Sequence, residues 1–147
     1  MDLPFDLASR HIFVPGGAFR TRLEKGAKYR YYFILNRNPT ADNVILLVTA
    51  TTKIAQYRAK YKSAVLVEMN PSEYKPLEND SLVNCELARA YHRPDLETKL
   101  RKALAQKKLE ILDPLPESIL RRLHDALSEC RNVSPIDKQL ALGEENI

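Results

Sequence analysis

Lys28-Tyr29-Arg30-Tyr31-Tyr32-Phe33-Ile34-Leu35-Asn36 and Val44-Ile45-Leu46-Leu47-Val48-Thr49-Ala50-Thr51-Thr52 stand on either side of a polar stretch, Arg37 to Asn43. Both runs are rich in β-branched and aromatic residues and are bounded by turn formers, so both predict strands. Asn38-Pro39-Thr40-Ala41-Asp42-Asn43 breaks any helix and suits a tight connection between antiparallel neighbours. That pairing brings the start of the first strand, at Arg30, beside the end of the second, at Thr51 and Thr52. In a regular strand the two threonines alternate, so only one of them should point into a common site. A permanent cation beside a hydroxyl is phosphate-binding chemistry.

Outward from this hairpin, the chain of 147 residues is long enough for one domain with a real core, and 44% hydrophobic with 29% charged residues is the balance of a soluble globular protein. The formal net charge of +4 is unevenly spread. Arg20 to Lys62 is basic, whereas Gly143-Glu144-Glu145-Asn146-Ile147 is acidic. A basic surface of this kind is either simply solvated or meets a polyanion. Cys85 and Cys130 lack CxxC spacing, and His11, His92 and His124 form no ligand pattern, so neither a metal nor another cofactor is expected. Both thiols should be buried. No apolar run is long enough to span a bilayer and no basic-then-apolar leader opens the chain, so no membrane association and a cytoplasmic location are expected.

Before the hairpin, Met1 to Arg10 reads as an irregular arm and His11-Ile12-Phe13-Val14 as a first strand stopped by Pro15-Gly16-Gly17. Ala18 to Ala27 reads as a functional loop carrying Arg20, Arg22 and Lys25 against Glu24. After it, Lys53 to Lys62 interleaves Tyr57 and Tyr61 with Lys53, Arg58, Lys60 and Lys62. That is either a nucleic-acid surface of stacking plus charge or a turn whose tyrosines cap the core. Ser63 to Glu68 and Ser81 to Glu86 read as strands, with Leu87 to Tyr91 extending the second or starting a neighbour. Leu96, Leu100, Ala103 and Leu104 predict a helix opening at Pro94-Asp95, and Ile119, Leu123, Leu127 and Cys130 another from Pro116. Between them Lys107 to Leu112 is β-compatible. The expected layout is one domain over residues 1–132 and an acidic, flexible tail over 133–147.

Arg30-Tyr31-Tyr32-Phe33-Ile34-Leu35-Asn36 resembles the Arg-Pro-aliphatic-aliphatic-aliphatic-Leu-Ser strand of the MazF/PemK toxins, and Val48-Thr49-Ala50-Thr51-Thr52-Lys53 resembles their Val-Pro-Cys-Thr-Thr-Gln block. Asp80 to Arg89 is similar to a later segment of that family, and Pro116 to Cys130 to its closing helix. The likeness spans about Arg10 to Cys130, with its specific part in the first two blocks. The chain departs from the pattern at Arg10-His11, where the family has Gly-Asp, at Tyr31 in place of proline, and at Asn84-Cys85-Glu86 in place of Asp-Gln-Val. It also carries an additional helix, Asp95 to Ala105.

The resemblance implies a mainly β, α+β domain: a small SH3-like barrel of about five to seven antiparallel strands with two helices outside. It implies a homodimeric toxin, paired with a cognate antitoxin, that cleaves single-stranded RNA without metal by attack of the ribose 2′-hydroxyl on phosphorus. Arg30 would be the cation over the phosphate and a candidate proton donor, and Thr51 the hydroxyl donor. Glu24 and His11 are the candidate bases. Arg20, Arg22, Lys25, Lys28, Lys53, Tyr57 and Arg58 would line the RNA path. Two alternatives stand beside this reading: a non-catalytic module holding RNA or an acidic protein on the same barrel, and a toxin that inhibits a protein target, as CcdB-like relatives of the fold do.

Overall fold

The computed structural model describes residues 5–23, 28–62 and 64–143. In chain order its elements are α1 (Phe5–Ile12), β1 (Ala18–Thr21), β2 (Arg30–Ile34), β3 (Val44–Thr51), α2 (Ile54–Lys60), β4 (Leu66–Met69), β5 (Ser81–Asn84), β6 (Arg89–His92), α3 (Arg93–Ala105), β7 (Glu110–Leu112), α4 (Glu117–Ser128) and α5 (Pro135–Leu142), with a 3-10 turn at Cys85–Leu87. The strands form one antiparallel sheet in the order β4-β5-β3-β2-β1-β7, and β6 also pairs with β3. β4 and β7 end that order without pairing to each other, so this barrel-like sheet is not closed.

β3 is the hub. One edge takes β2, with Tyr31 opposite Ala50 and Ile34 opposite Leu47. The other edge takes β6 along Val44–Leu47 and then β5 at Ala50 and Thr51. Both faces of the strand are covered, which is why its sequence is almost continuously apolar rather than alternating. Tyr32, Ile34, Ile45 and Leu47 pack with Phe5 and Ile12 of α1 and Leu96 and Leu100 of α3. Phe33, Leu46, Val48 and Ala50 pack on the other side with Ile119, Leu123 and Leu127 of α4 and Ala141 and Leu142 of α5.

Asn36 locks the hairpin. It is fully buried. Its amide donates to Asp42 Oδ2 and to the Val44 carbonyl, both at 2.8 Å, and its Oδ1 accepts from the Leu46 N–H at 2.7 Å. Arg93, the first residue of α3, ties the same turn down through the carbonyls of Pro39, Thr40 and Asp42, with its guanidinium 4.3 Å from the centre of the Phe13 ring. Both cysteines are buried free thiols, as expected. Burial pushes Cys85 up to about 12 and Cys130 up to about 11.

Four segments differ from the sequence reading. Residues 5–12 are helix α1, not an arm leading into a strand at His11. Phe5, Ala8 and Ile12 recur at helical spacing and are buried, and that period prevails over the β-branched run at its end. The expected loop after Pro15-Gly16-Gly17 begins with strand β1, whose Ala18 and Phe19 are fully buried. The basic segment after Thr52 is helix α2 and buries no residue. Beyond Asn132, where little structure was expected, α5 starts on a Ser134 cap whose hydroxyl accepts from Asp137 N–H at 3.2 Å, and it seats Ala141 and Leu142 in the core.

Candidate nucleic-acid interface

A cleft of about 400 Å³ opens at the end of the sheet where β2 begins and β3 finishes. Arg30, half-buried, pairs with Thr21 across β1. The ladder between β2 and β3 reaches Tyr31 opposite Ala50, so one step further sets Arg30 against Thr51. Both residues line the cleft. Thr52 lines it as well, contrary to strict alternation, because β3 ends at Thr51 and the chain turns there. The Lys53 N–H donates to Thr51 Oγ1 at 3.2 Å in that turn, leaving the hydroxyl proton of Thr51 to donate elsewhere.

Around this pair stand Arg20, Lys28 and Lys53, with Tyr29, Tyr31 and Tyr57 between them. Among the described residues, four cations therefore meet one carboxylate, Glu78. Among the described residues Lys28, Arg30 and Lys53 make no ion pair, so their charge is available to a ligand. Arg20 is committed: it pairs with Glu78 at 2.9 Å and lies 5.0 Å from the centre of the Tyr31 ring. Burial works against its charge, but Glu78, Tyr31 and Glu110 outweigh it and raise its pKa above the ordinary arginine value. Tyr31 itself is fixed by donating its hydroxyl to the Pro76 carbonyl at 3.0 Å.

The expected residues divide. Arg20, Lys28, Arg30, Thr51, Lys53 and Tyr57 converge on the cleft. Arg22 does not line it, although its guanidinium sits 5.1 Å from the centre of the Tyr29 ring, which does. Arg58 does not line it either and pairs with Glu68 at 2.6 Å. His11 is an exposed residue of α1 and lines no part of the cleft. Glu24 and Lys25 lie outside the described residues. Tyr57 is not a core cap: it packs on Tyr61 with ring centres 5.3 Å apart, on a helix without buried residues. Tyr29, Tyr31, Glu78, Asn79 and Ser81 join the lining from outside the expected set. For the last three the sequence held no signal, since they reach the cleft from a loop and strand far along the chain.

A smaller cleft of about 220 Å³ shares Arg30 and is lined by Tyr32, Thr49, Leu87, Arg89 and Tyr91. Register puts it on the other face of the sheet from Tyr31 and Ala50, since Tyr32 opposes Thr49 and Leu47 opposes Arg89; by the same alternation Arg30 and Thr51 belong to this second face, and they reach the larger cleft at the strand ends, where Arg30 lines both. Among the described residues no three His, Cys, Asp or Glu side chains gather as a metal-ligand group. No described helix is long and apolar enough to cross a membrane. His124 is a structural residue: its Nε2–H donates to the Leu35 carbonyl at 2.8 Å, and burial lowers its pKa. Comparison with protein-family models and with curated proteins gives no match.

Proposed function

We propose that this protein binds single-stranded RNA in the Arg30–Thr51 cleft and cleaves it there, as a MazF/PemK-like toxin acting without metal. One observation carries the reading: Arg30 and Thr51, on different strands, line one cleft together with lysines that make no ion pair among the described residues, and with tyrosines. A guanidinium can hold two oxygens of a phosphate at once, and Thr51 can donate to a non-bridging oxygen. Tyrosine faces accept bases of any sequence by stacking. In the reaction the ribose 2′-oxygen attacks phosphorus as its proton leaves to a base. The bond to the 5′-oxygen breaks, and that oxygen takes a proton. The products are a 2′,3′-cyclic phosphate and a 5′-hydroxyl. Arg30 and Thr51 act by stabilising charge on the crowded phosphorus. The same reading brings a homodimer and a cognate antitoxin as partners.

A second reading, a non-cleaving RNA module, draws on a different observation. Among the described lining residues the one carboxylate, Glu78, is engaged by Arg20, and no histidine is present. The purified protein incubated with long single-stranded RNA in excess EDTA separates the two. Discrete fragments ending in cyclic phosphate support the nuclease. Intact RNA with retarded mobility supports the module, and unshifted, intact RNA rejects both.

A further inference from the structure

Helix α3 ends in an unusual way. Lys107 takes φ of +57°, the left-handed conformation in which glycine is the ordinary residue. Its N–H donates to Leu104 O at 3.0 Å and that of Lys108 to Ala103 O at 2.8 Å, the paired bonds of a Schellman ending. A non-glycine residue here carries a backbone cost, so the sequence keeps a lysine where a glycine would fold more readily. The segment is then clamped. Buried Thr21 donates its hydroxyl to the Lys108 carbonyl at 2.7 Å, and β7 pairs with β1 directly afterwards, Arg20 opposite Glu110.

This clamp sets Lys107 and Lys108 in a cleft of about 240 Å³, completed by Leu109, Glu110, Arg20 and Tyr29. Arg20 and Tyr29 also line the Arg30–Thr51 cleft, so the two clefts adjoin at these side chains. Both lysines are exposed, and among the described residues neither makes an ion pair. Among the described residues the one carboxylate in this extension, Glu110, already contributes to the field on Arg20. From β7 through β1 and β2 to β3 the combined path crosses three strand gaps, roughly 14 Å at the usual spacing. That is too long for a single phosphate and suits a linear polyanion.

We propose that the end of α3 is a second RNA subsite: Lys107 and Lys108 hold the backbone of the same strand whose neighbouring phosphate lies on Arg30, with Tyr29 stacking a base between them. This rests on the RNA reading above and gives a role to the helix that the family likeness leaves over. The clamp makes the subsite preorganised, because the lysines stand on fixed backbone rather than on a free loop.

The test is fluorescence anisotropy with a labelled oligouridylate of twelve residues and with a labelled dinucleotide, over a salt series. Lys107→Gly removes the charge and relieves the backbone, so thermal stability should hold or rise while RNA affinity falls. Adding Lys108→Gln should weaken the twelve-residue probe roughly tenfold at low salt. The slope of log K against log salt should flatten by about 0.7 for each lysine. The dinucleotide, which fills only the Arg30 cleft, should bind both variants like the parent. Parental affinity and slope for the longer probe in the double variant would overturn the subsite and leave the RNA reading standing. Failure of the parent protein to bind the longer probe would overturn both.

Discussion

Glu78→Gln tests whether the cleft awaits an anion. The Glu78 carboxylate lies 2.9 Å from Arg20 Nη1 and, among the described residues, is the one negative charge beside four cations in the cleft lining. A phosphate drawn to the same guanidinium would come within about 6 Å of that carboxylate. At an effective dielectric constant of roughly 40–80, the repulsion between two unit charges at that distance is about 0.7–1.4 kcal/mol. The Arg20 side chain is 31% exposed and that of Glu78 65%, so solvent screening favours the lower figure. Neutralising Glu78 should therefore tighten single-stranded RNA binding about threefold in low salt, with the gain fading as salt is raised. Thermal stability should barely move, because an exposed pair contributes about 0–1 kcal/mol. Anisotropy titrations of parent and variant at several salt concentrations read both effects. Unchanged or weaker binding would refute the competition, and weaker binding would mean that Glu78 orients Arg20 for the ligand.

Three further outcomes follow from the fold. A Cβ on Gly17 would stand 1.8 Å from the Ile12 carbonyl oxygen, so Gly17→Ala must shift backbone between α1 and β1. It should destabilise by about 3 kcal/mol or more in urea unfolding, and a loss under about 1 kcal/mol would contradict the contact. Asn36→Ala strands the Leu46 N–H and the Val44 carbonyl inside the hairpin, and should cost about 2–4 kcal/mol by the same assay. For His124 the folded pKa lies below the unfolded one, chiefly through burial, so the unfolded chain binds its proton first as pH falls. Stability from this group is therefore complete above the ordinary histidine pKa and is lost as pH drops from about 7 toward the folded value. His124→Gln should flatten that part of the stability–pH curve, and an unchanged curve would remove His124 as its source.

Much of this was legible where one local rule sufficed. The two β-rich runs and the proline-bearing turn between them gave β2, β3 and their antiparallel pairing, and hence the meeting of Arg30 with Thr51. Helical spacing likewise gave α3 and α4. Reading failed where a short stretch obeyed two rules at once. His11-Ile12-Phe13-Val14 carries strand propensity, yet Ile12 belongs to a helical face that begins at Phe5. Ala18-Phe19-Arg20-Thr21 hides its strand character behind one arginine, because β1 buries Thr21 and leaves Arg20 half-exposed at the cleft. Pro135, the charges and Gly143 mark the stretch after Asn132 as a tail, while its anchoring lies in Ala141 and Leu142. The Arg20–Glu78 pair and the Lys107–Lys108 extension depend on register across the sheet, which no local pattern encodes.

Single-turnover cleavage of a long single-stranded RNA in EDTA by the parent, Arg30→Lys and Thr51→Val most directly tests joint action on one phosphate. Lysine keeps the charge but loses the planar fork. Valine keeps the shape but loses the hydroxyl donor. Arg30→Lys should retain most RNA binding while cleavage falls sharply, and Thr51→Val should slow cleavage roughly a hundredfold, as expected for the loss of one transition-state donor. Cleavage at the parental rate by both variants would contradict the assignment of the site.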